Sequence, residues 1–140
     1  MRKDTEKALA LLTQKDLTCA ICRGENMYES RARGVAPLLN WLDNGMNFAG
    51  FCAADKVVGA GAAYLYALLG IEELYAAIIS DSAQKILTRY GISVHFGESV
   101  PRIRNREGDG FCPIETAVAD AVDPADALAR IRARLAELKK

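Results

Sequence analysis

The chain has 140 residues, 51% of them hydrophobic, and its 18 Lys and Arg balance its 18 Asp and Glu. That length and apolar content suit one domain with one core, here taken as residues 1–140. A formal charge of zero argues against broad electrostatic binding to nucleic acid or to an anionic membrane.

The opening segment MRKDTEKALALLTQK has neither an uninterrupted apolar run nor a small-residue cleavage site, so it is not a signal peptide. The longest apolar stretch, Phe48 to Gly70, is broken by Asp55 and Lys56, and the rest of it is too short to span a bilayer. A cytoplasmic location is expected, with Cys19, Cys22, Cys52 and Cys112 as thiols.

Asp4 or Thr5 is placed to cap a first helix, Glu6 to Thr13, with an apolar side of Ala8, Leu9, Leu11 and Leu12. Leu17 to Arg23 and Met27 to Ala32 read as strands joined at Gly24-Glu25-Asn26 into a hairpin. In the first of them Cys19 and Cys22 form a C-x-x-C, but residues three apart in a strand face opposite sides, so metal or redox use is rejected. Val35 to Leu42 is a short helix with Pro37 in its first turn.

Asn47 to Ala53 reads as a central strand. Asp55 then caps a long helix from Lys56 to Leu69, stopped by Gly70. Gly59 and Gly61 in its first turns each cost roughly 1 kcal/mol of helix propensity, which points to close approach of a neighbour or a ligand. Leu74 to Ser80 is a strand buried on both faces, and Asp81 or Ser82 caps a helix from Ala83 to Tyr90. Ile92 to Phe96 is a further strand, followed by a loop to Phe111 and by a helix from Pro113 to Val122. Asp123-Pro124 opens the last helix, whose stripe is Leu128, Ile131, Leu135 and Leu138. Strands alternating with helices imply parallel crossovers, and the hairpin adds an antiparallel edge.

Three stretches should converge where helix starts meet strand ends. At the start of the long helix, exposed N–H groups, Lys56 and Gly59 favour an anion; the plainer alternative makes Asp55 a cap and Lys56 a solvated residue. In the loop, Arg102, Arg104 and Arg106 share a face if it is extended, and their forks suit phosphate or carboxylate; the alternative is a solvated loop with internal ion pairs. At Phe111-Cys112-Pro113-Ile114-Glu115, Cys112 falls at a helix cap, where a thiolate is favoured, with Glu115 as base or ligand holder. Alternatively Glu115 bonds back to the Cys112 N–H as in a capping box. A dyad of Cys112 with His95, the sole histidine, is not demanded by the spacing.

Ala54-Asp-Lys-Val-Val-Gly59, Asn105-Arg106 and Gly110-Phe-Cys-Pro-Ile-Glu115, together with Arg33-Gly-Val-Ala-Pro-Leu-Leu39, resemble a prokaryotic family of unknown function over roughly residues 5 to 122. On this reading the helix at 124–139 is an addition to the core. The family is similar to the cytidine deaminases in fold. The resemblance implies an α/β chain built as a three-layer α/β/α sandwich, with a mixed five-stranded sheet and an N-terminal β-hairpin.

A zinc deaminase needs His or Cys, then any residue, then Glu, at one helix start, and Pro-Cys-x-x-Cys at the next. Here those places read Ala53-Ala54-Asp55 and Ser80-Asp81-Ser82-Ala83-Gln84-Lys85. Cys52 is one residue off, and in a strand that turns it to the other face. No zinc, no other cofactor and no hydrolytic deamination of the usual kind are therefore expected.

The resemblance leaves a polar cleft with Asp55, Lys56 and Gly59, flanked by Asn105, Arg106, Cys112 and Glu115. Such a cleft suits metal-independent binding of a small anionic or nucleotide-like ligand. The alternatives are an enzyme using Cys112 as nucleophile, assisted by Asp55, Lys56 or Glu115, and a non-catalytic interaction or assembly module. Neither nucleic acid nor membrane is expected as partner, and a homodimer is compatible with the sequence. Trp41, Tyr64 and Tyr66, taken as exposed, are not assignable to an interface.

Overall fold

The computed structural model describes residues 1–105, 108 and 110–139. The order is α1 (Lys3–Gln14), β1 (Cys19–Arg23), β2 (Asn26–Ser30), α2 (Ala36–Asp43), β3 (Cys52–Val58), α3 (Ala60–Leu69), β4 (Glu73–Ser80), α4 (Asp81–Arg89), β5 (Ser93–Val100), α5 (Pro113–Ala117) and α6 (Pro124–Leu138). The strands form one open sheet in the order β2-β1-β3-β4-β5. β1 pairs antiparallel with β2 and β3, whereas β3–β4 and β4–β5 are parallel. The chain is thus α/β with a mixed five-stranded sheet and, among the described residues, six helices. None of those helices is long and apolar enough to cross a membrane.

Alternation along β1 divides the core. Cys19 and Ile21 join the larger apolar cluster, while Ala20 and Cys22 join a smaller one with Ala8 and Leu12 of α1. The two cysteines of the C-x-x-C therefore do face opposite sides of the sheet. On the larger side α3 is buried almost all round, Tyr64 and Tyr66 included, so these tyrosines are not exposed as expected from the sequence. Trp41 is half-buried, edge-on to Phe48 at 5.6 Å between ring centres.

α6 closes the outer side of α3 with Ala127 and Ile131, both fully buried. Truncating Ile131 to alanine would leave a hole under α3, at a cost of about 2–5 kcal/mol. Its start is as the sequence predicts: the Asp123 carboxylate accepts from the Asp126 N–H at 2.7 Å, with Pro124 at the first helical position. Its stripe is only partly covered, for Leu138 at the end is exposed.

Other boundaries move. Neither Asp4 nor Thr5 caps α1: the helix begins at Lys3, and Glu73 of β4 accepts from the Arg2 N–H at 2.7 Å and the Thr5 hydroxyl at 2.6 Å. The cap of α4 is Ser80, whose Oγ accepts from the Ala83 N–H, rather than Asp81 or Ser82. α5 ends at Ala117, not at Val122.

The largest shift lies at the middle of the chain. Residues 47–51 are not strand, and Asp55 lies inside β3 instead of capping a helix. The segment from Cys52 onward is paired by β1 on one side and β4 on the other, so its backbone groups are met by the sheet and α3 waits until Ala60.

Candidate functional site

Past the first residue of β1, Cys19, β3 opens into a cleft of about 250 Å³ lined by Asp55, Lys56, Gly59, Cys112 and Glu115, with Arg33 on its rim. Five residues that the sequence singles out thus meet in one place although they come from β3, the start of α3 and the α5 turn. Asn105 is not among the described residues lining the cleft, and Arg106 lies outside the described residues.

Asp55 forms the buried floor. In the sheet register it sits opposite Cys19. Tyr66 reaches from α3 to donate its hydroxyl to Asp55 Oδ2 at 2.6 Å, and the same hydroxyl lies 3.1 Å from Cys19 Sγ. The Val57 N–H donates to Oδ1 at 3.3 Å. Burial penalises the ionised form more than these bonds favour it, so the Asp55 pKa is pushed up to about 7. Burial also pushes the Cys19 thiol and the Tyr66 phenol up, and the Asp55 charge adds to both.

The cations sit at the mouth. Lys56 is exposed, with Nζ 3.0 Å from Asp16 Oδ1, an ion pair that water and salt screen. Arg33 is exposed and makes no ion pair or side-chain hydrogen bond among the described residues. Sequence reasoning quoted Arg33 within a motif but missed it as a site residue, because an isolated loop arginine carries no pattern.

The anion site expected at a helix start from residue 56 is not there. The helix starts later, and Glu115 sits at its first turn: Glu115 Oε2 accepts from the Gly61 N–H at 3.0 Å, and Oε1 lies 3.4 Å from Ser80 Oγ. The capping-box alternative fails too, because the Cys112 N–H donates to the Ile103 carbonyl. The small residues at 59 and 61 do answer to close approach. A Cβ on Gly59 would lie 2.4 Å from the Glu115 carboxyl carbon, and one on Gly61 would lie 2.7 Å from Ile114 Cγ2. The neighbour is α5, and no ligand is needed to explain the glycines.

Cys112 is half-buried, whereas the other three cysteines are buried. His95 is not its partner: the ring Nε2 lies 3.4 Å from Glu73 Oε2, and His95 is not among the cleft residues.

The donor set does not fit a deaminase zinc. The stretches where the resemblance would put such ligands hold Ala53-Ala54-Asp55 and the turn from Ser80, and Asp55 is engaged by Tyr66 and Val57. Among the described residues no three His, Cys, Asp or Glu converge as metal ligands.

Comparison with known proteins gives one family. The model described as TM1506, domain of unknown function (DUF1893), matches residues 7–135. That span takes in α6 as far as Leu135. A crystal structure of a DUF1893 family protein (TM1506) from Thermotoga maritima is 28% identical, with a TM-score of 0.85, covering 98% of this chain and 92% of that one. No curated protein matches.

Proposed function

The chain belongs to the DUF1893 family, whose function is unknown, and from that premise we propose that the cleft binds a small anionic or nucleotide-like molecule without a metal. The observation that carries this reading is the convergence of Arg33 and Lys56 on one cleft over a buried Asp55 whose ionisation is disfavoured by burial. Arg33 and Lys56 supply attraction. Asp55, with its pKa raised to about 7, is substantially neutral below that pH, so it repels an anion less than an ordinary carboxylate would. Glu115 fills the start of α3, so the anion would sit toward Arg33 and Lys56. The wider setting in this proposal is a single deaminase-like unit of three α/β/α layers in the cytoplasm, supported by the element order and by the hairpin-led sheet.

Thermal shift tests it. Inorganic phosphate and nucleoside monophosphates, screened one at a time, should raise Tm for at least one member. Arg33→Gln and Lys56→Gln should each reduce that shift, and it should fade as the pH rises through about 7. The absence of any shift across the screen would sink the reading.

A second reading rests on Cys112, the one thiol that is both half-exposed and in the cleft. An enzyme acting through it would be trapped by a thiol-directed probe that spares the three buried cysteines.

A further inference from the structure

On the other side of Val57 and Ile103, which line both spaces, lies a second hollow of about 500 Å³. Its wall is almost wholly apolar, formed by Val57, Ile78, Val100, Pro101 and Ile103. Val57 is 43% exposed there, because β1 pairs with β3 only as far as Asp55 and leaves Val57 with Ile78 of β4 as its one strand neighbour.

Two guanidinium groups stand at its edge. Arg102 lies 3.7 Å from the centre of the Phe111 ring and Arg104 lies 5.7 Å from it. Among the described residues neither is paired with a carboxylate. Stacking on a ring uses the flat face of a guanidinium and leaves its in-plane N–H fork available. The backbone holds this arrangement in place: Arg104 and Phe111 form a β-bridge, the Cys112 N–H donates to the Ile103 carbonyl at 3.1 Å, and the Asn105 N–H to the Gly110 carbonyl at 2.9 Å.

We infer that this hollow is a binding site for a small amphiphilic anion, with a flat apolar body against Val57, Ile78 and Val100 and an acidic group held by Arg102 and Arg104. A concave space of this size fits a small molecule, and two guanidinium groups with no carboxylate partner among the described residues, set over an apolar wall, complement an anionic head on an apolar body. Val57 and Ile103 stand between this hollow and the polar cleft, and none of Arg102, Arg104 and Phe111 lines the cleft.

Two fluorescent probes of one shape test it on the whole chain: anilinonaphthalene sulfonate, which is anionic, and phenylnaphthylamine, which is not. The sulfonate should bind saturably, once per chain. The double variant Arg102→Gln/Arg104→Gln alters exposed side chains only, and its Tm and circular dichroism report that it is folded. It should weaken the sulfonate roughly tenfold or more while leaving the uncharged probe unchanged. Arg33→Gln, which addresses the cleft, should leave both unchanged. Equal sulfonate affinity in the double variant, failure of both probes to bind the folded protein, or a loss with Arg33→Gln as large as with the double variant would overturn the inference.

Discussion

Glu115 Oε2 accepts the Gly61 N–H at 3.0 Å, so the first turn of α3 is capped by a residue from the short helix α5. The free N–H groups of a helix start are usually met by the residue just before it. Gly59, the N-cap here, has no side chain to do this, and its bare Cα is what admits the carboxylate.

Position 59 and position 115 are therefore coupled. Glu115→Ala is expected to cost about 1–2 kcal/mol of stability in a denaturant titration, the scale of a lost cap. Gly59→Ala should also destabilise, because its methyl group would have to displace the carboxylate. In the Glu115→Ala background the same Gly59→Ala change should cost less, and the non-additivity measures the contact. Strictly additive costs would show that the two residues do not meet.

Asp55 sets a pH dependence. Its folded pKa of about 7 is above its ordinary 3.8, so the native state holds the proton more tightly than the unfolded chain. The contribution to stability is complete below 3.8 and declines as the pH rises from there to about 7, then levels off. Asp55→Asn removes the ionisation. The Tm difference between Asp55→Asn and the parent should grow in favour of the variant across that interval and be flat above it.

Glu73 behaves oppositely. Burial disfavours its charge, but hydrogen bonds from Thr5, the Arg2 N–H and His95 outweigh this and hold its pKa below the ordinary 4.5. Its contribution is complete above 4.5 and is lost as the pH falls through the lower folded value. Thr5→Val, which strips one bond from the buried carboxylate, should cost about 1–3 kcal/mol at neutral pH. It should also flatten the acid limb of the stability curve.

Alkylation should separate the four thiols. Burial raises the pKa of Cys19, Cys22 and Cys52, that of Cys22 to about 11. Peptide mapping after brief treatment of the native protein with iodoacetamide should find Cys112 labelled and the other three intact. Labelling of all four at equal rates would mean that the sheet opens readily.

Much of the fold was legible because its signals are local. Gly24-Glu25 between two β-rich runs, the apolar run at 74–80 and Asp123-Pro124 each state their element within a few residues. The boundary between β3 and α3 was not legible. An aspartate before an apolar run looks like a cap, and nothing near Asp55 reveals that β1 and β4 will pair with it from both sides. For the cleft, the sequence named Asp55, Lys56, Gly59, Cys112 and Glu115, but it could not pair Glu115 with Gly61, because that contact joins distant parts of the chain. Asn105 was grouped with them through motif proximity, and it is not among the described residues lining the cleft.

The seating of Ile131 against α3 has a consequence for how the chain is made. α3 leaves the ribosome as an almost wholly apolar segment, and the helix that shields its outer side is translated well after it. Until α6 arrives, a nascent chain carries that greasy flank uncovered, which is the condition under which chaperones engage and intermediates stick together. Slowed translation between these two helices should therefore lower soluble yield more than an equal pause before Ala60.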